Sequence, residues 1–233
     1  MNAINIKESI DKIKNLDELF ANQEQQQPEF REILQRGYAI EETLPQNTIL
    51  FVGMNPSFKE GDATSSFYYS EYDNAYFSRI QKITELVNQS LGTSFPFAHH
   101  DLYFVRHTSQ EKVMEMKSAM KDFFDTQLNI SKQIIAASNP KLIVVANAEA
   151  SKIFQNEVCK NWQPGSPFQW NNDLGVDFVE IETDGKSYRV PVLFTGMISG
   201  QRALDDGSYH SLIWHICHIL RSILTFNQLI SIS

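Results

Sequence analysis

The chain has 233 residues, 42% of them hydrophobic and 21% charged, with a formal net charge of -8. That length supports one substantial core, and the composition is that of a folded domain rather than a disordered or fibrous chain. The acidic balance removes long-range attraction to phosphate, so nucleic-acid binding would need a local basic patch.

No apolar run approaches the roughly 18 residues that a membrane-spanning helix needs. Met1 to Lys14 alternates charge with isoleucine and does not read as a signal peptide. The two cysteines, Cys159 and Cys217, sit in no CxxC pattern, which leaves zinc and iron–sulfur sites unsupported. Free thiols, a cytoplasmic setting, no metal and no cofactor are expected.

Ile6, Ile10, Ile13, Leu16 and Phe20 recur at helical spacing and predict an amphipathic helix that the polar tract Asn22 to Gln27 ends. Pro28 opens a second short helix to about Arg36. Residues 1–45 are thus expected to form a helical extension on an α/β domain spanning 46–233. A buried strand follows at Thr48 to Gly53, then a long polar and aromatic loop, Ser57 to Asn74. Tyr76, Ile80, Ile83, Val87 and Leu91 mark a helix.

Asp101 to Val105 reads as a short strand, and Val113 to Ser138 as helical with a break. Leu142 to Ala146 is a fully buried strand introduced by Asn139-Pro140, and Ala148 to Val158 a helix. Phe178 to Glu182 and Ser187 to Val190 flank Asp184-Gly185, the strongest short hairpin signal. Pro191 to Thr195 is the last strand, and Asp205 to Phe226 the last helix, with Asp205-Asp206 capping it. Strands alternating with helices predict a three-layer α/β/α sandwich around a mostly parallel sheet of about four strands.

Three segments then lie at carboxyl ends of strands, where open α/β sheets bind ligands. They are Gly53-Met54-Asn55-Pro56, the aromatic stretch Phe67 to Phe77, and Thr195 to Arg202. Aromatics interleaved with polar residues beside a cleft suit stacking on a planar base, although packing is the preferred reading for Tyr76 and Phe77 and weighs equally for Phe67 and Tyr69. His99-His100-Asp101 reads as polar surface, and His215 and His218 as helix packing or a solvated face. Arg106 and Arg202 could together make an anion site. Ser199 lacks the Gly-x-Ser-x-Gly frame of a nucleophile elbow.

These segments together resemble the uracil-DNA glycosylase superfamily, most closely its mismatch-specific uracil/thymine-DNA glycosylase branch. Gly53-Met54-Asn55-Pro56 matches the Gly-x-Asn-Pro motif after the first strand. Asn74-Ala75-Tyr76-Phe77 matches an Asn-x-aromatic-aromatic helix start, and Met197-Ile198-Ser199 a degraded final loop. The resemblance spans roughly Thr48 to Phe226 and implies hydrolysis of the N-glycosidic bond of a deaminated or mismatched base in DNA, by a monomer without cofactor.

It also implies roles for single residues. Asn55 would orient the attacking water through its side-chain carbonyl. Gly53, Met54, Phe67, Tyr69 and Met197 would surround the extruded base. Ser57, Ser199, Gly200, Gln201 and Arg202 would meet the DNA.

There are departures from the pattern. Met197 stands where many relatives place a histidine donor, Ile198 replaces a loop-shaping proline, and Val105-Arg106-His107 lacks a base-reading asparagine. The alternative is a catalytically silent protein of this fold that binds a nucleobase, nucleic acid or protein partner.

Overall fold

A computed structural model describes residues 2–6, 15–59, 61, 67–69, 75–162, 168–183, 185–200 and 202–230. The centre is a six-stranded sheet. Its strands in chain order are β4 (Ile49–Gly53), β6 (Phe97–Asp101), β7 (Leu142–Ala146), β8 (Gln169–Asn171), β9 (Val176–Thr183) and β10 (Lys186–Thr195). Their spatial order is β6-β4-β7-β10-β9-β8. The first four run parallel, and β9 and β8 add antiparallel strands at one edge.

The expected sheet of about four strands is therefore extended to six. The hairpin arm and the last strand turn out to be one continuous strand, β10. Its Lys186–Val192 half pairs with β9 and its Val192–Thr195 half with β7. The mobility of phi that the hairpin turn demands is supplied by Gly185, at φ +69°.

Both faces of the parallel strands are covered, which is why β4 and β7 are buried along their whole length. Alternate residues point to opposite faces. Leu50, Val52, Ile143 and Val145 join one apolar cluster, which holds Phe123, Phe124, Ile130 and Ile134 of α5 (Lys121–Ser138). Ile49, Phe51, Leu142 and Val144 join the other. That second layer is supplied by α3 (Ala75–Leu91) through Phe77, Ile80, Ile83 and Val87, and by α8 (Asp206–Ile230) through Leu212, Ile216 and Ile219. The α/β sandwich is thus built on period-2 strands between amphipathic helices.

The predicted break in the Val113–Ser138 helix falls at Met120, between α4 (Gln110–Ala119) and α5. Asn139 ends α5 in the left-handed region (φ 44°) just before Pro140. Asp205 Oδ1 accepts from Ser208 N at 2.9 Å and caps α8 as expected. Asn171 and the 172–175 turn are clamped by α8: His215 Nε2 lies 2.7 Å from Leu174 O and His218 Nε2 3.2 Å from Asp173 O. Those two histidines therefore tie a turn to the helix.

Two expectations are corrected. The N-terminal region is not purely helical: α1 (Leu16–Gln26) runs through the polar tract meant to end it, and α2 (Arg31–Leu34) follows a 3₁₀ turn at Pro28. Three short strands belong to the same region, β1 (Ala3–Asn5), β2 (Ala39–Glu41) and β3 (Thr43–Pro45). β1 pairs with β3, and β2 with β5 (Phe67–Tyr69). Leu16, Phe20, Phe30, Leu34 and Ile40 enter the first apolar cluster, with Phe20 edge-on to Phe123 at 4.9 Å. The predicted helical residues 7–14 lie outside the described residues.

The second correction concerns Asp101 to Val105. The strand lies earlier, at Phe97–Asp101. Beyond it the backbone is held by side chains of α5, because Gln127 Oε1 accepts from Phe104 N and Ser131 Oγ donates to Leu102 O, both at 2.8 Å.

Asn147 follows β7 with φ 83° and ψ 157°, backbone space that essentially only glycine occupies without strain. Its side chain compensates by capping α6 (Ala148–Ile153), accepting from Ala150 N at 2.8 Å, and a π-helical turn joins α6 to α7 (Cys159–Trp162). Asn147→Ala is expected to destabilise by about 1–2 kcal/mol from the lost cap, while Asn147→Gly costs only a few tenths. Chemical denaturation of the two variants checks this; equal losses would contradict it.

Candidate active site

The segment Gly53-Met54-Asn55-Pro56 leaves the carboxyl end of β4 between β6 and β7. It continues beside the 101–107 segment through Leu102 N→Gly53 O (3.1 Å), Tyr103 N→Met54 O (2.9 Å) and His107 N→Pro56 O (3.0 Å). Because both backbones run in register, side chains from the two segments meet over a short stretch.

Asn55 is half-buried, and its amide nitrogen donates to three carbonyl oxygens: Pro56 O at 3.0 Å, Val105 O at 3.3 Å and His107 O at 2.7 Å. Three acceptors fix which end of the amide is nitrogen. Oδ1 is left as the end able to accept a hydrogen bond from a ligand or water. An amide held this way can orient a water but cannot take its proton.

Beneath this segment lies a buried ionic cluster that a reading of His99-His100-Asp101 as polar surface did not anticipate. Glu41, His99, His100 and Asp101 are all buried. Glu41 Oε2 lies 2.9 Å from His100 Nδ1, Glu41 Oε1 is 3.6 Å from His99 Nδ1, and His99 Nε2 is 3.7 Å from Asp101 Oδ1. The signal in sequence was three consecutive ionisable residues inside the apolar run Phe97 to Val105. Their partner Glu41 comes from β2, far away in the chain, and no local pattern links it to them.

Gly53 explains how the cluster fits. A Cβ there would stand 2.2 Å from Asp101 Oδ1 and 3.2 Å from His99 Nε2. Glycine is required because the Asp101 carboxylate occupies the space a side chain would fill.

Burial works against the Glu41 charge, but His100 and His99 outweigh it and hold its pKa at about 2. Burial pushes Asp101 up to about 6, with the Glu41 charge adding to the rise and the histidines opposing it. Burial also disfavours a charged His99, yet Asp101 and Glu41 raise it above its ordinary value.

The signs set a stability window. The Glu41 contribution is complete above its ordinary 4.5 and is lost as pH falls toward 2. The Asp101 contribution is complete below its ordinary 3.8 and is lost as pH rises through about 6. The His99 contribution, present below its ordinary 6.5, disappears above its raised value. Thermal stability should therefore peak near about pH 4 and decline toward pH 8, with a smaller decline in Asp101→Asn. A melting temperature that rises steadily from pH 5 to 8 would contradict this.

The other expected site residues fall into three groups. Met54 buries its side chain in the core and offers the site only its backbone. Tyr76, at the start of α3, is 44% exposed with its ring edge-on to His99, 6.4 Å away, while Phe77 is buried against the same imidazole at 4.9 Å. Phe77 is thus core, and Tyr76 stands at the rim.

In the final loop Ser199 is buried and its hydroxyl donates to Tyr76 O at 2.6 Å, so that hydroxyl ties the loop to α3. Met197 is half-buried and its carbonyl accepts from Leu204 N at 2.8 Å. Gly200 (φ +91°), Arg202 and Ser57 are exposed. The backbone of Phe67 and Tyr69 lies in β5, and neither side chain is among the described ones. Gln201 and Asn74 lie outside the described residues.

Arg106 is buried, its Nη1 donating to Arg36 O at 3.1 Å, which takes it away from a shared surface anion site with Arg202. Its guanidinium and that of Arg36 lie 5.1 and 4.7 Å from the Phe58 ring centre. Two arginines thus support the loop that follows Pro56.

Among the described residues no group of three His, Cys, Asp or Glu side chains converges to hold a metal ion. In the Glu41 cluster His99 and His100 face the Glu41 and Asp101 carboxylates, which is ion-pair geometry. Among the described residues no helix is long and apolar enough to cross a membrane. In comparisons with known proteins, no family model matches this chain and no curated protein is similar to it.

Proposed function

We propose that this chain is a DNA glycosylase that hydrolyses the N-glycosidic bond of a deaminated or mismatched base, uracil or a similar one. The observation that carries the reading is Asn55. Its two amide hydrogens are shared among three carbonyls at the end of a central parallel strand, which leaves Oδ1 as the acceptor for a water. In that reaction the glycosidic bond stretches toward an oxocarbenium-like sugar while charge moves onto the leaving base. A positioned water on the sugar and dipoles facing the base oxygen are what the enzyme must supply.

The neighbouring features fit these needs. Tyr76 offers an exposed aromatic ring at the rim. The exposed Arg202 gives positive charge on an otherwise acidic protein, while Arg36 beside the Phe58 loop is paired with Glu32 at 2.9 Å. Met197, a thioether rather than an imidazole, leaves the leaving base without one strong donor; losing such a donor typically costs about 10²–10³ in rate. A slow enzyme that favours good leaving groups follows.

The test is abasic-site formation on labelled oligonucleotides carrying uracil opposite guanine, uracil in single strands, hypoxanthine, and thymine opposite guanine. Cleavage of at least one supports the reading. No cleavage of any at high enzyme concentration favours the second reading, a silent protein of this fold, which Met197, Ile198 and the net charge of -8 make worth stating.

A further inference from the structure

Asn55 can hold a water but cannot accept its proton, so a glycosylase built on Asn55 alone lacks a base. A carboxylate lies on the neighbouring strand, against the glycine two residues before Asn55. Gly53 and Asp101 are register partners on β4 and β6, and the missing Cβ of Gly53 is what admits Asp101 Oδ1. Asn55 is two residues further along the same segment, at most about 7 Å from Gly53 between Cα atoms.

The cluster also has a direction. Side-chain exposure falls from 9% at Asp101 to 3% at His99 and 2% at Glu41. Asp101 is therefore the least buried of the three, and His99 and Glu41 lie deeper. A base oriented by a second group, itself held by a third, is the arrangement by which enzymes activate a nucleophile.

We propose that Asp101 is the general base of this site, with His99 and Glu41 as positioning residues behind it. The inference rests on the glycosylase reading. In the step, the water held by Asn55 Oδ1 forms its O–C1′ bond to the deoxyribose while the C1′–N bond breaks and its electron pair leaves with the base. Asp101 takes one proton from the water and returns it to the departing base or to solvent. The products are an abasic sugar with a 1′-hydroxyl and the free base.

The titratable groups facing Asp101 are His99 and His100 from β6, Glu41 from β2 and Tyr76 from α3. Burial raises the Tyr76 phenol and the Asp101 charge adds to that rise, so Tyr76 stays neutral throughout the working range. Asp101, raised to about 6, is then ionised at neutral pH while keeping useful basicity.

Single-turnover cleavage of the best oligonucleotide, followed from pH 5 to 8.5, tests the proposal in wild type, Asp101→Asn and His99→Gln. The wild-type rate should fall tenfold per pH unit below about 6 and be level above. Asp101→Asn should lose about 10²–10⁴-fold and its acid limb with it. His99→Gln should keep measurable cleavage with the limb moved to higher pH, because a cation beside Asp101 is gone.

An Asp101→Asn protein with wild-type rate and profile overturns the proposal and leaves the glycosylase reading standing. Should that variant fail to fold, an unmoved limb in His99→Gln overturns it equally. A wild type inert on every substrate overturns both.

Discussion

Gly53→Ala is expected to destabilise the protein by about 3–5 kcal/mol, the range for breaking a buried ion pair. The new methyl group would sit 2.2 Å from Asp101 Oδ1, a distance no relaxation of the Cβ can absorb. Asp101 must swing away, and its contact with His99 Nε2 at 3.7 Å goes with it. Overpacking alone costs roughly 1–3 kcal/mol; the larger figure follows because a buried charge is displaced as well. The check is a double-mutant cycle with Asp101→Ala, which empties the same space. Gly53→Ala should then cost much less in the Asp101→Ala background than in wild type, a coupling of about 2 kcal/mol or more by denaturant unfolding. Additive losses would mean that the two residues do not share the space.

Asn55→Ala carries the other large effect, on chemistry. On the proposed glycosylase reading, removing the amide takes away the group that holds the water, and loss of positioning of this kind costs at least about 10²-fold in rate. Val105 O and His107 O also lose a donor, which adds a stability loss of about 1–3 kcal/mol. The two effects are separable: denaturation reports the second, and single-turnover rates on folded variant report the first. Asn55→Asp makes a sharper contrast, since an ionised carboxylate facing three carbonyl oxygens cannot reproduce the donor geometry.

Much of the sheet was legible because its strands are short apolar runs bounded by glycine, proline and asparagine. Thr48 to Gly53 and Leu142 to Ala146 read as buried strands, and the structure has buried strands at Ile49–Gly53 and Leu142–Ala146. The Asp184-Gly185 hairpin was legible from turn chemistry, but Pro191 masked the continuity of β10. A proline can be tolerated there because pairing passes from β9 to β7 at that point.

Asp101 to Val105 misled because its apolar residues are buried under α5 rather than paired in the sheet. Gln127 and Ser131, two polar residues on a helix, satisfy that backbone, and no local pattern announces such a partnership. The N-terminal strands were missed for a similar reason: β2 is defined by what it packs on, including Ala39 N→Phe104 O at 3.0 Å.

At the site, Gly53 and Asn55 were visible as a motif, whereas the reason for the glycine was not. It is a tertiary contact with Asp101 across the register of two strands. The Glu41 cluster stayed hidden because its members are far apart along the chain, from β2 to β6, and charge among apolar residues is ambiguous until burial is known.

The central claim is that Asn55 serves hydrolysis of an N-glycosidic bond. Abasic-site formation on uracil-containing oligonucleotides, measured side by side for wild type and a folded Asn55→Ala protein, tests it most directly. The account predicts slow cleavage by wild type and a loss of at least about 10²-fold in the variant. Equal rates in the two proteins, or no abasic sites with either, would contradict it.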